Sequence, residues 1–131
     1  MIFRKLILAI KSTFLKGIKN RIMAYLYLFG AIIFEVTATL LLPLSKNFTK
    51  PFLSIGILIS YSISFYLLTF AIKGIPIAIA YSTWAGLGIL LITLFGFIFY
   101  HQSINWQSLV GLILIILGVT IVNIFKNPST H

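Results

Sequence analysis

The stretch YLYLFGAIIFEVTATLLLPL, residues 25–44, decides the class of fold. It is 20 residues long and carries one charged side chain, Glu35. As an α-helix rising about 1.5 Å per residue it matches the roughly 30 Å of hydrocarbon in a bilayer. An acid near the centre of such a span is rare and marks a site, because an ionised carboxylate there is costly. Desolvation disfavours the charged form, and a second Glu35 across a dimer interface adds like-charge repulsion, so this carboxyl is expected to exchange protons. The structural alternative is a permanently protonated Glu35 bridging two helices. A glutamine would serve that purpose without a titratable group.

Three further apolar runs lie downstream, Phe52 to Ile72, Ile77 to Phe99 and Gln107 to Phe125. The segments between them, Ser45 to Pro51, Lys73 to Pro76 and Tyr100 to Trp106, hold the Lys, Pro, Gly and Asn that punctuate helices. The reading is an all-α membrane protein with four transmembrane helices. The runs are too long, and too uniformly apolar, for the alternating strands of a membrane β-barrel. Composition agrees: 60% of the 131 residues are hydrophobic and 8% charged, which leaves too little polar surface to coat a water-soluble domain. With no cysteine, and with His101 and His131 far apart, neither a disulfide framework nor a metal centre is expected. A formal charge of +9 would suggest nucleic acid in a soluble protein. Here the bases flank apolar runs, the placement of membrane anchors, and no nucleic-acid partner is expected.

Six bases, Arg4, Lys5, Lys11, Lys16, Lys19 and Arg21, precede the first span. Residues 1–22 place Phe3, Leu6, Ile7, Ile10, Phe14 and Ile18 on one helical arc, with Lys5, Ser12, Lys16, Lys19 and Asn20 opposite and Arg4, Lys11 and Arg21 blurring the division, the pattern of an interfacial helix on an anionic membrane. The apolar run Leu6 to Ile10 is too short for a secretory signal. Met23, directly before the span, is an alternative start that would leave residues 23–131 as the four-helix domain. The start bears on topology. With four spans, the amino terminus, Lys73 and Lys126 share one side, giving eight bases against Lys46 and Lys50 on the other. The positive-inside rule then puts both ends in the cytoplasm, whereas a chain starting at Met23 has two bases on each side and almost no bias.

The spans carry candidate site residues beyond Glu35. Ala31 and Thr39 stand four residues either side of it on one helical face, making a small, hydroxylated stripe; the alternative for Thr39 is a hydroxyl bonded to its own backbone. Tyr61 lies mid-span with Ser64 three residues on. Tyr81, Trp84 and Gly88 share a face of the third span, setting two π systems beside a residue that permits close approach, and a cation losing its water there is compensated by rings and a carboxylate. Gly86 and Gly88 are candidate hinges. Gly111 and Gly118, seven apart, return to one face and suit close helix contact. Tyr25, Tyr27, Tyr100 and Trp106 fall at span ends and read as headgroup anchors.

From Tyr25 to His131 the chain resembles the small multidrug resistance family, through Gly30 to Val36, Leu44 to Thr49, Ile75 to Gly88 and Gly111 to Gly118. The resemblance implies an antiparallel dimer of four-span protomers in the bacterial inner membrane, exchanging protons for a cation. It implies that Glu35 binds both proton and substrate, that Tyr61, Ser64, Tyr81 and Trp84 line the site, and that Gly111 and Gly118 meet the partner protomer. Thr39, where guanidinium exporters of the family typically have tryptophan, points to the multidrug branch, whose substrates are quaternary ammonium and phosphonium ions and cationic dyes. Pro43 stands where members commonly have lysine, and residues 1–22 have no counterpart in the family pattern. Protons supply the coupling, and no cofactor is expected. The alternatives are a guanidinium or polyamine exporter of the same family, an obligate heterodimer subunit paired with an oppositely oriented paralogue, and a small pore-former. An enzyme is the least supported, since one carboxylate without a nucleophile or phosphate loop offers no mechanism.

Overall fold

A computed structural model describes residues 1–125 as four α-helices and one short 3₁₀ turn. Lys126 and His131 lie outside the described residues. Helix α1 spans Ile2–Leu41, α2 Pro51–Ala71, α3 Ile77–Tyr100 and α4 Trp106–Ile124, and all four are long and apolar enough to cross a membrane.

Local chemistry accounts for the boundaries. The first span was expected to run to Leu44, but α1 stops at Leu41 and a 3₁₀ turn, Pro43–Ser45, takes its place. Pro43 has no N–H to continue the ladder. Ser45 then organises the connection: its hydroxyl donates to the Leu42 carbonyl at 2.7 Å and accepts from the Phe48 amide at 3.2 Å. Pro51 opens α2, where its fixed φ suits the first helical turn. Asn105 caps α4 by accepting from the Ser108 amide at 2.9 Å. Spans α2, α3 and α4 begin and end within one residue of the expected limits.

The amino-terminal segment is continuous with the first span. Residues 2–22 form the first half of α1, which runs through Met23 without a break. Few helix breakers stand in the way: only Gly17 interrupts a run of good helix formers.

Helices α1, α2 and α3 form the packed unit. Ala24, Leu28, Ile32 and Val36 recur every fourth residue along α1 and are buried with Ala71, Ile75, Ile79 and Ala80. Such a row forms a ridge that a neighbouring helix receives in its groove. Lipid tails are as apolar as these side chains, so packing and interhelical hydrogen bonds hold the helices together, not burial from water. Three such bonds tie α1 to its neighbours. Ser64, fully buried, donates to the Ala31 carbonyl at 2.6 Å, the Tyr100 hydroxyl donates to the Leu40 carbonyl, and the hydroxyls of Thr39 and Tyr61 lie 2.8 Å apart. At the opposite end Gly74 lets the α2–α3 turn close on α1, since a Cβ there would come within 2.8 Å of the Ala24 side chain. Helix α4 touches only α3 closely and buries none of its residues.

Candidate functional site

Glu35 sits half-buried on α1, closer to its end at Leu41 than to Asn20 beside the α2–α3 turn. Its two carboxylate oxygens have different surroundings. Oε1 accepts a hydrogen bond from the Thr39 hydroxyl at 2.8 Å, and the same hydroxyl lies 2.8 Å from the Tyr61 hydroxyl. A threonine hydroxyl has one proton to give. With that proton committed to Glu35, Tyr61 donates to Thr39, and a chain of hydroxyls runs from α2 to the acid. Oε2 faces α3, where a Cβ on Gly88 would approach to 3.3 Å. Any larger residue at 88 would press on the carboxylate.

Beyond Oε2 opens a cleft of about 210 Å³ lined by Glu35, Tyr81, Trp84, Ala85, Gly88, Ile89 and Ile92. The α3 residues among these follow helical spacing and form one stripe. Tyr81 and Trp84 meet edge to face, with centroids 5.6 Å apart, and Phe65 of α2 meets Trp84 in the same way at 5.7 Å. The buried indole Nε1 of Trp84 has no hydrogen-bond partner among the described residues. One carboxylate oxygen beside aromatic rings, in an otherwise apolar cleft, suits an organic cation: charge meets charge, and the π faces receive the substituents. A larger apolar groove of about 560 Å³ lies along α1 and α3, lined by residues including Ile33, Thr37, Leu91 and Phe95. Ile33 and Thr37 are two positions either side of Glu35 and so point away from it, leaving that groove without an acid.

The chain's similarity to known proteins singles out the same part of the molecule. The sequence profile described as Small Multidrug Resistance protein matches residues 23–115. The chain belongs to the small multidrug resistance family. The quaternary ammonium compound-resistance protein QacG of Staphylococcus sp. (strain ST94) is 42% identical over 103 residues, covering 79% of this chain and 96% of QacG. The multidrug transporter EmrE of Escherichia coli (strain K12) is 40% identical over 107 residues, covering 82% of this chain and 97% of EmrE. The quaternary ammonium compound-resistance protein QacE of Escherichia coli is 38% identical over 107 residues, covering 82% of this chain and 97% of QacE. With four helices able to span, this family member is a multi-pass inner-membrane protein.

Against this frame of a small multidrug resistance protein, the expected site residues divide. Glu35, Tyr81, Trp84 and Gly88 meet in the cleft, and Thr39 and Tyr61 reach it through the hydroxyl chain. Thr39 bonds the acid and not its own backbone. Ala31 and Ser64 stand apart from the cleft: both are buried where α1 meets α2, bonded to one another, and neither lines the opening in this protomer. Gly86, expected as a hinge with Gly88, lies within an unbroken α3 and admits α4, because a Cβ there would come within 2.7 Å of Val119. Around Gly111 and Gly118 there is open space, with no atom within 4 Å of a built Cβ.

Other residues escaped the sequence reading. Ala85, Ile89 and Ile92 follow from extending the Tyr81–Trp84–Gly88 stripe by one helical period, so the signal was present. Phe65 was not legible, because no spacing rule ties a residue of α2 to Trp84. Asn123 of α4 donates to Thr83 of α3 at 3.1 Å and to the Val119 carbonyl at 2.8 Å, joining the two helices next to Gly86. A polar amide inside an apolar span was the available sign.

Proposed function

We propose that this chain is a proton-coupled antiporter that exports small lipophilic quaternary cations across the inner membrane, working as an antiparallel dimer. The observation that carries this reading is Glu35, the sole acid of the chain, with one oxygen held by Thr39 and the other open to an aromatic cleft. The names of QacG, QacE and EmrE support quaternary ammonium compounds and multiple drugs as the substrate class. The exposed α4, with space over Gly111 and Gly118, supports a second protomer there.

The mechanism is competition at one carboxyl. A cation enters the cleft only as Glu35 gives up its proton, since the charged form alone attracts it. Protons entering from the outside displace the cation and allow the carrier to reorient. Inward proton flow thereby drives outward cation flow, with protons as the energy source and without a cofactor or covalent chemistry. The small cleft of one protomer is completed by its partner, so that a carboxyl from each protomer faces a shared site.

Tetraphenylphosphonium binding to the purified chain, followed with proton release across pH, tests this. Binding weakens as pH falls, because protons then occupy Glu35, and each binding event releases protons. Glu35→Gln abolishes both proton release and uphill transport. Uphill transport surviving in that variant would overturn the mechanism. A second reading, an obligate subunit of a heterodimer, is favoured by the surplus of bases at one end of the chain, which disfavours opposed insertion of two identical copies. Absence of ligand binding by the purified chain alone, restored by an oppositely oriented paralogue, would select it.

A further inference from the structure

Helix α1 is 40 residues long, about 60 Å at 1.5 Å per residue, twice the thickness of a bilayer's hydrocarbon. Tilting cannot hide the excess: fitting that length inside would need a tilt of about 60°, beyond the roughly 0–40° that spans adopt. The structure shows which end emerges. The α2–α3 turn closes on α1 at Asn20 and Ala24, and from there to Leu41 is about 33 Å, one membrane span. Ile2 to Lys19 therefore project beyond the bundle, and every residue among them is exposed.

This projecting segment has two faces. At about 100° per residue, Phe3, Leu6, Ile7, Ile10 and Phe14 fall within an arc of about 100°, while Arg4, Lys5, Lys11 and Lys16 fall on another side, with Leu8 and Leu15 among them. Phe3 is 75% exposed and Phe14 67%, so a straight arm would hold two phenylalanines in water. No acid lies anywhere in the arm to pair with its bases. Gly17 follows Phe14 and Lys16, contacts nothing within 4 Å, and is the weakest helix former in the segment.

We propose that residues 2–16 are a basic amphipathic arm that turns at Gly17 onto the anionic phospholipid surface and fixes the orientation in which this chain inserts. The apolar arc enters the acyl boundary while the bases meet lipid phosphates, the arrangement that gives such helices their affinity for anionic membranes. Its occupant is lipid because the complement is a sheet of negative charge beside an apolar layer, already adjacent to where α1 leaves the bundle. The contacts of Gly74 place Lys73 at the same end, whereas Lys46 and Lys50 lie in the α1–α2 connection at the other. Seven described bases at the arm's end face two at the other, which puts the arm on the cytoplasmic side. The inference rests on α1 and its charges, and stands whether or not Glu35 carries cations; a chain held in one orientation meets its antiparallel partner in an oppositely oriented paralogue, the second reading of its function.

The chain has no cysteine, so single reporters are unambiguous. Nitroxide labels at Ile10→Cys and Ser12→Cys, on the two faces, are placed in the full chain in vesicles of phosphatidylglycerol or of phosphatidylcholine alone. In the anionic vesicles Ile10 becomes severalfold less accessible to a water-soluble relaxant while Ser12 stays open; in phosphatidylcholine both stay open. Equal accessibility of the two sites in anionic vesicles would overturn the proposal, whether both are open in water or both shielded by a span or a protein. Orientation is read from Ser103→Cys, in the exposed α3–α4 connection, with an impermeant reagent on intact cells. The full chain labels from outside only, and replacing Arg4, Lys5, Lys11 and Lys16 with glutamine gives a mixture of both orientations. One-sided labelling that survives those four changes would show that the arm does not set orientation.

Discussion

From Asn20 to Leu41, α1 buries Ala24, Leu28, Ile32 and Val36 and carries the acid of the cleft, whereas from Ile2 to Lys19 the same unbroken helix buries nothing. Both halves have helix-forming residues and an apolar face, so neither local propensity nor amphipathicity distinguishes them. Their neighbours do. The inner half repeats an apolar residue at every fourth position and has small residues, Ala24, Ala31 and Ala38, where another segment packs; the outer half has bases at intervals and no partner in the bundle. A helix can thus be continuous in backbone and divided in function, with the division at the point where the α2–α3 turn closes on it.

The largest difference between the halves is expected at their glycine contacts. Gly88 faces Oε2 of Glu35 at 3.3 Å from a built Cβ, and Gly17 of the arm meets nothing. Gly88→Val fills the approach to the carboxylate and lowers tetraphenylphosphonium affinity by more than about tenfold, equivalent to about 1.4 kcal/mol or more. Gly17→Ala leaves that affinity unchanged. Isothermal titration of both variants decides it, and an unchanged Kd for Gly88→Val would show that ligands do not use the Oε2 side of the acid.

How far the sequence reached follows the same division. Four spans, the central acid and the Tyr81–Trp84–Gly88 stripe were legible because hydropathy and helical spacing act within one segment. The end of α1 at Leu41 was missed by three residues because apolarity continues past Pro43, where the backbone cannot. Ser64 is a lining residue by what the family resemblance implies; that its hydroxyl meets the Ala31 carbonyl across the helix contact is visible only in the packed protomer. Gly86 is expected as a hinge because glycine loosens helices, and only the approach of Val119 shows that it also serves close packing. Such pairings depend on the rotation of one helix against another, which no single-segment pattern encodes. The continuity of α1 through Met23 was missed for a related reason: the change of polarity at the membrane surface resembled a boundary in the backbone.

A second contrast sharpens the division within α1 through packing. Leu28 is 1% exposed and Leu15 54% exposed in the one helix. Leu28→Ala removes van der Waals contacts that neighbours cannot fully replace and lowers stability by about 1–3 kcal/mol. Leu15→Ala changes it by less than about 0.5 kcal/mol. Reversible unfolding in mixed micelles with increasing dodecyl sulfate measures both. Equal losses would mean that the arm packs on protein.

The smallest expected effect concerns the hydroxyl chain that makes the two oxygens of Glu35 unlike. Thr39→Val keeps the shape of the side chain and removes the donor to Oε1, while Tyr61 loses the oxygen it donates to. A hydrogen bond to a charged acceptor stabilises by about 1.5–3 kcal/mol, but water reaching the half-exposed carboxylate recovers part of it, so the loss is nearer 1 kcal/mol, about fivefold in cation affinity. Tyr61→Phe acts one bond further away and gives a smaller loss. Isothermal titration of both variants measures it, and an unchanged Kd for Thr39→Val would mean that this hydroxyl shapes the cleft without acting on the carboxylate that binds the cation.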